Sequence, residues 1–347
     1  MQKILKKYSG VLYVAVITAL MAVLIGNTEE LGQIVHELKD MDGAWVCAAG
    51  GCILGYLFLR MATLKFYLAR QGCTISWSDA AGVTGAGQFY SAITLSASGG
   101  QPMQVLWMHR MGVPVSVGTA GVSVKFIGFQ TSFLALGALM WILERREVAA
   151  QLTGLRWLVA LGFIINSVLI AAVLLTVPDS RAMDGLLRGL VAIGKKLRIV
   201  RNPEKAIEGF RNTVKEYRDS LVLLLKRPSD AAAVFALSLL QVLVYMMVPV
   251  CLYRAFGLTG ADPAVILTVQ LLLFIAAAFI PLPGAAGAQE SGFCVFFRGI
   301  FPEGNLIAAM LCWRFFSYYL LLIAGLLMMG WSKTADWRKK RTEAKKR

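Results

Sequence analysis

Long apolar segments alternate with short polar ones along most of the chain. A bilayer core about 30 Å thick requires roughly 20 consecutive apolar residues in a helix. Six segments meet this requirement and predict membrane-spanning helices over residues 8–26, 44–64, 115–142, 154–177, 230–254 and 304–330. The pattern therefore predicts an all-α polytopic membrane protein, with a single integral membrane domain over residues 1–347.

Two further apolar stretches, residues 79–112 and 262–300, are each interrupted by glycine and proline. The breaks read Ser98-Gly99-Gly100-Gln101-Pro102 and Pro281-Leu282-Pro283-Gly284-Ala285-Ala286-Gly287. Non-helical backbone at bilayer depth is tolerated only where it is buried in protein or lines a wet cavity. A matched pair of interrupted segments, one in each half of a chain, indicates a transporter's binding site.

The distribution of charge decides how these two stretches cross the membrane. Loop 178–228 holds twelve Lys/Arg against six Asp/Glu, and the tail 333–347 is also basic, whereas loop 27–43 is acidic. Basic loops favour the cytoplasmic side. All three segments satisfy this rule only if 79–112 and 262–300 are re-entrant hairpins. We therefore expect six spans, two hairpins, and both termini on the cytoplasmic side of the inner membrane.

The re-entrant interpretation gives both halves of the chain the same order of span, span, hairpin and span. Each half then has an odd number of spans, so residues 1–145 and 154–332 are predicted to form an inverted repeat. The alternative, two Gly-rich loops without symmetry, stays open. Asn202-Pro203 followed by a narrow apolar stripe predicts an amphipathic cytoplasmic helix within the insert 178–228.

Ionisable residues within apolar segments are the main candidates for a site, because charges at that depth usually face a cavity or a partner. Lys125 and Arg314 each lie about 16 Å along a predicted span at 1.5 Å per residue, and Glu290 follows the second break. One hypothesis is that Lys125 and Arg314 neutralise an anionic headgroup. The alternative is a structural pair of Glu290 with Arg314 or Lys125. Arg60 is interpreted as a cation snorkelling at the cytoplasmic end of its span.

The breaks add backbone donors to this candidate site, because a helix N-terminus offers free N–H groups and a positive dipole end to an anion. The competing interpretation is a packing turn, in which glycine only permits close approach. The predicted substrate-binding set is Gly99, Gly100, Gln101, Lys125, Gly284, Gly287, Glu290, Arg314 and Tyr318. Neutral hydrogen bonds are expected from Gln88, Gln130, Tyr90 and Tyr319.

The composition and net charge of the chain favour some functions over others. The chain is 57% hydrophobic with a formal net charge of +15. In a polytopic protein this charge indicates cytoplasmic loops facing anionic lipid rather than nucleic-acid binding. The six Cys and the two His have no metal-ligand or redox spacing. No catalytic signature is present, so we expect no cofactor, no metal and no catalytic residue.

The residues around both breaks resemble a known family, the transmembrane region of lysylphosphatidylglycerol synthase (the MprF type). The blocks that carry the resemblance keep their order over nearly the whole chain: Tyr90–Thr94, Ser98–Gln104, Val124–Ile127, Phe279–Gly284, Gln289-Glu290, Trp313–Phe315 and Tyr318-Tyr319. The chain departs from the family at Leu95-Ser96, where many relatives have Pro-Phe.

The resemblance implies a flippase-like domain that translocates a lipid between leaflets, with links to lipid metabolism and antibiotic resistance. Phosphatidylglycerol, lysyl-phosphatidylglycerol and polyprenyl-linked lipids are the expected partners, beside a homo-oligomer or a lipid synthase. In two-domain members a soluble C-terminal domain transfers lysine. This chain ends at Arg347, so we expect a stand-alone member and not an enzyme. The competing functions are a phosphatidylglycerol lysyltransferase or its accessory subunit, and a non-transporting scaffold.

Overall fold

The computed structural model describes residues 36–94, 97–144, 146–148, 154–175, 222, 227–277 and 283–346, and within them it consists of helices joined by turns and short loops, without a strand. In chain order the helices are α1 (Gly43–Arg70), α2 (Trp77–Ile93), α3 (Gly100–Arg110), α4 (Val115–Leu143), α5 (Arg156–Leu175), α6 (Pro228–Met246), α7 (Val248–Ala255), α8 (Pro263–Ala277), α9 (Ala288–Phe296), α10 (Glu303–Arg314) and α11 (Leu320–Lys346).

Four helical segments are long and apolar enough to cross a membrane. They are α1, α4, the pair α6–α7 and the run from Glu303 to Thr334. All four coincide with predicted spans, which confirms the all-α membrane fold. The segment 154–177 corresponds to α5, whereas 8–26 and nearly all of the insert 178–228 lie outside the described residues. The number of six spans therefore stays a prediction.

The boundaries differ from the expected ones where helices continue or bend. α1 extends to Arg70, beyond the predicted end at residue 64, because its apolar face continues through the buried Leu64, Tyr67 and Leu68. The last span is interrupted by a π-helical turn over Phe315–Tyr319. α11 then runs on to Lys346, so the described part of the basic tail is helical rather than a separate segment.

The first interrupted stretch folds as two helices, α2 and α3, with defined ends. Ser76 and Asp79 form a capping box, in which the Asp79 N–H donates to Ser76 Oγ and the Ser76 N–H donates to Asp79 Oδ2, both over 3.1 Å. α3 ends at Arg110, and Gly112 follows it with a φ of 87° that allows Val113 N–H to donate back to the Met108 carbonyl. These caps fix where the hairpin begins and ends.

Close backbone approach through glycine holds this hairpin in place. A Cβ on Gly85 of α2 would lie 2.6 Å from the Gly325 carbonyl of α11, and a Cβ on Gly100 of α3 would lie 2.7 Å from the Gly87 carbonyl. Small residues at such crossings are the usual means of packing helices in membranes. α2 accordingly packs most extensively on α11 and then on α3.

The second interrupted stretch comprises α8, a short 3₁₀ turn over Pro283–Ala285 and α9. α8 packs on α5, α9 and α4, and a Cβ on Gly162 of α5 would lie 2.3 Å from the Ile275 carbonyl of α8. Each hairpin therefore packs on a long helix of the opposite half, α2 on α11 and α8 on α4. An inverted repeat would place each hairpin against a helix of the other half in this way, but the repeat itself stays a prediction.

Candidate functional site

A cavity of about 450 Å³ lies where the two interrupted stretches meet the long helices. Gln88 and Ser91 of α2 line it from the first hairpin, and Gly284 and Gln289 line it from the second. Residues of α1, α4, α5, α8 and the π-helical turn complete the wall, together with the C-terminal end of α6. Both interrupted stretches thus line one cavity, although the first does so through α2 and Ala97 and not through its break at residues 98–102.

The cavity wall is rich in neutral hydrogen-bonding groups. Hydroxyl groups come from Tyr56, Ser91, Tyr245, Ser317 and Tyr318, and amide groups come from Gln88, Gln130, Asn166 and Gln289. The rings of Tyr56 and Tyr245 stack with centroids 4.7 Å apart. Arg314 is the single ionisable side chain among the described lining residues apart from these tyrosines. The cavity can therefore solvate a polar group without offering a carboxylate.

Arg314 is held by partners on every side of its guanidinium group. Its Nε lies 2.7 Å from Glu290 Oε1, and both side chains are more than nine-tenths buried. Nη1 donates to Gln289 Oε1 over 2.9 Å, and Nη2 donates to the Gly284 carbonyl over 2.8 Å. The charge of Arg314 is thus balanced by Glu290, which is the structural pair that the sequence left open as an alternative.

Glu290 and Tyr318 connect this ion pair to the backbone of the second break and of α2. Glu290 Oε2 accepts the Gly287 N–H over 2.7 Å, at the start of α9. The Tyr318 ring lies under the guanidinium, 4.3 Å from Arg314 Cζ, and its hydroxyl donates to the Ala92 carbonyl of α2 over 3.0 Å. The ion pair therefore fixes the second break, and Tyr318 attaches the last span to the first hairpin.

Three residues at or beside the π-helical turn line the large cavity. They are Arg314, Ser317 and Tyr318, whose spacing of three and four residues is that of one helix face. The wide turn also exposes backbone carbonyls, and such turns are frequent at functional sites. Here Tyr245 Oη donates to the Ser317 carbonyl over 3.1 Å, which satisfies one of these carbonyls.

Lys125 lies in a different, smaller cavity. This second cavity has a volume of about 80 Å³, and its polar lining consists of Arg60, Gln101, Gln104, Lys125 and Gln241. Phe126 and Phe129 line both cavities and form the wall between them. The structure therefore does not bring Lys125 and Arg314 together, because Phe126 and Phe129 separate the cavity that holds Lys125 from the cavity that Arg314 lines.

Of the predicted glycine sites, one lines the large cavity, and the others make contacts within the protein. Gly284 lines the large cavity, whereas the Gly99 N–H is occupied by Thr94 Oγ1 over 2.9 Å and Gly100 is packed against Ser91. The Gly287 N–H is likewise occupied by Glu290. These contacts fit the packing-turn interpretation, and no contact supports an anion at either helix N-terminus. Gln101 instead lines the small cavity.

Several lining residues were not singled out from the sequence. Tyr56, Tyr245 and Asn166 sit in apolar runs without a local signal, and Gln289 was noted only as part of a family block. Arg60 was interpreted as snorkelling, but α1 continues for ten residues beyond it to Arg70. The uninterrupted apolar periodicity after residue 60 was the signal that could have placed Arg60 inside the bundle. Of the neutral candidates, Gln88 and Gln130 line the large cavity, whereas Tyr90 and Tyr319 are not in its described wall.

Interrupted helices, buried ion pairs and a polar cavity inside apolar helices define a polytopic membrane protein with an internal polar site. A family model for the lysylphosphatidylglycerol synthase TM region matches residues 10–325. The chain therefore belongs to that family. It is also similar to a UPF0104 membrane protein of Archaeoglobus fulgidus, with 24% identity over 277 residues that cover 79% of this chain and 81% of that protein.

Proposed function

We propose that the protein is a lipid translocase that moves an anionic or aminoacylated phospholipid between the leaflets of the membrane. The observation that carries the proposal is the large cavity, whose hydroxyl and amide lining lies midway along apolar helices. A polar headgroup loses its hydration when it enters the hydrocarbon core, and that loss is the main barrier to translocation. Side-chain hydrogen bonds inside the cavity would replace part of the lost hydration.

The apolar exterior supports a path in which the lipid tails stay in the bilayer. Large hydrophobic side chains are exposed along the long helices, among them Leu54, Phe58, Leu139, Ile142 and Leu327. In a membrane protein such residues face lipid. The headgroup would then move through the cavity while its tails remain beside α1, α4 and α11. A translocase of this kind lowers a barrier and needs no energy source of its own.

The proposal is tested with the purified full chain reconstituted in liposomes. Leaflet-resolved translocation is measured for headgroup-labelled phosphatidylglycerol, lysyl-phosphatidylglycerol and a polyprenyl phosphate in turn. Gln88→Met removes an amide from the cavity at nearly constant volume. Gln270→Met is the matched control, because Gln270 is buried within the apolar α8 but does not line the cavity. We expect translocation of one lipid to fall about tenfold in Gln88→Met and to be unchanged in the control.

Two results would contradict the proposal. Translocation of none of the three lipids would favour a scaffold for a lipid-modifying enzyme. Lysyl-lipid synthesis by the purified chain with charged tRNA would instead favour the transferase. Equal translocation by wild type, Gln88→Met and a second cavity variant, Ser91→Ala, would mean that the protein is a lipid translocase whose path does not run through the cavity.

A further inference from the structure

Two cations share the small cavity. Lys125 lies on α4 and is 7% exposed, and Arg60 lies on α1 with its Nε buried and without a hydrogen-bond partner. Both stand about 15 Å of helical rise from an end of their helix, Arg60 from Arg70 and Lys125 from Val115. Two cationic side chains therefore line one small cavity inside an apolar bundle.

No carboxylate among the described residues forms an ion pair with either cation. Lys125 Nζ donates to Gln104 Oε1 over 3.2 Å, and Arg60 Nη1 donates to Tyr56 Oη over 2.8 Å, so both hydrogen-bond to neutral groups. Charges at such depth are normally paired, because an unpaired charge in a low-dielectric environment is costly. The uncompensated charge therefore points to an anionic ligand.

The shape and chemistry of the small cavity fit a phosphate group. Its 80 Å³ would hold roughly two or three water molecules, so it admits a tetrahedral oxyanion but excludes a complete lipid headgroup. Guanidinium and ammonium donors are the usual ligands of phosphate oxygens. Gln101, Gln104 and Gln241 place amide groups around the same space.

A groove between α3 and α4 leads to this cavity. The groove has a volume of about 520 Å³ and its lining includes Pro102, Val105, Leu106 and Val115. Gln101 and Val122 line both the groove and the small cavity, so the two spaces adjoin at these residues. A lipid could therefore lie with apolar atoms in the groove and its phosphate beside the two cations.

We propose that Lys125 and Arg60 bind the phosphate of a phospholipid that enters between α3 and α4. This assigns Lys125 a partner other than Arg314 and a site separate from the large cavity. The proposal refines the lipid-binding part of the proposed function. Binding is measured in detergent without translocation, so the two proposals can fail independently.

The experiment measures lipid retention by the full chain in a neutral detergent. Native mass spectrometry counts bound phosphatidylglycerol against diacylglycerol, which has the same tails but no phosphate. The variants are Lys125→Gln, Arg60→Gln and the conservative Lys125→Arg. Lys65→Gln is the matched control on α1, because Lys65 donates to the Ile75 carbonyl and lies over the Trp77 ring, outside the cavity.

We expect wild type to retain phosphatidylglycerol at least tenfold better than diacylglycerol. Lys125→Gln and Arg60→Gln should remove that preference, whereas Lys125→Arg and Lys65→Gln should keep it. Equal retention of both lipids by wild type would overturn the proposal without reference to any variant. Folded Lys125→Gln that retains phosphatidylglycerol normally would also overturn it. A wild type stabilised by inorganic phosphate but not by phosphatidylglycerol would show that the occupant is a soluble anion and not a lipid.

Discussion

Arg314 and Lys125 are both buried cations in long apolar helices, yet their surroundings differ completely. Arg314 has a carboxylate, an amide, a backbone carbonyl and an aromatic ring around one guanidinium. Lys125 has one amide oxygen and shares its cavity with a second cation, Arg60. A cation whose charge is balanced within the chain fixes structure, whereas burial of a cation without a balancing charge is costly, and an anionic ligand would offset that cost. The two regions should therefore respond in opposite ways to loss of charge.

The largest effect is expected from Arg314→Met. Removal of the guanidinium leaves Glu290 as an uncompensated buried charge, and breaking a buried pair in this way costs about 3–5 kcal/mol of unfolding free energy. The measurement is unfolding of the purified chain in detergent. The double variant Arg314→Met/Glu290→Gln removes both charges and should recover much of that loss. A double variant no more stable than Arg314→Met would mean that the pair is not the source of the stability.

The second-largest loss of stability is expected at Gly284, whose carbonyl accepts a hydrogen bond from Arg314. Gly284 has φ of 59°, and a Cβ there would lie 2.3 Å from Tyr318 Cε2. Gly284→Ala combines left-handed strain with overpacking, at a cost of about 3 kcal/mol in unfolding free energy. Gly112 is the control, because its φ of 87° is also positive but no atom lies within 4 Å of the added Cβ. Gly112→Ala should cost about 1–2 kcal/mol, and equal losses would show that the Tyr318 contact is unimportant.

The fold was largely predictable because the length of an apolar run is a strong signal for a membrane-spanning helix. The segments 44–64, 115–142, 230–254 and 304–330 were all found as long helices, and the breaks were correctly located before α3 and α9. The π-helical turn at Phe315–Tyr319 was not predictable, because its residues read as part of a continuous helix in the sequence.

The sequence predicted which residues of the candidate site are buried, but not which of them contact one another. Depth within an apolar run identified Lys125, Arg314 and Glu290 as buried residues, and all three are buried. Which of them meet depends on helix rotation and crossing, and a single sequence does not contain that information. The sequence left open whether Arg314 pairs with Glu290 or neutralises a headgroup together with Lys125, and the structure shows the pair. The position of Arg60 within the bundle could be recognised only once the end of α1 at Arg70 was known.

Loss of charge at Lys125 should have the opposite sign. Lys125→Met removes a buried ammonium group that has no carboxylate partner among the described residues, while it keeps most of the apolar stem. A charge at the centre of a membrane helix costs about 2.5 kcal/mol or more. The hydrogen bond to Gln104 offsets part of this cost, whereas the neighbouring positive charge of Arg60 adds to it. We expect the unfolding free energy in phosphate-free, lipid-free detergent to rise by about 1 kcal/mol. A loss as large as that of Arg314→Met would remove the distinction between the two regions.

The smallest effect tests how Tyr318 links the Arg314 region to the first hairpin. Tyr318→Phe removes the hydrogen bond to the Ala92 carbonyl but keeps a ring beneath Arg314, 4.3 Å from Cζ. Side-chain hydrogen bonds in membrane proteins contribute about 0.6 kcal/mol on average, so unfolding free energy should fall by about that amount. Tyr318→Leu also removes the cation–π contact, which is worth about 2 kcal/mol when desolvated, and should therefore cost clearly more. Equal losses in the two variants would mean that the ring does not help to balance Arg314, which would leave Glu290 alone responsible for the contrast with Lys125.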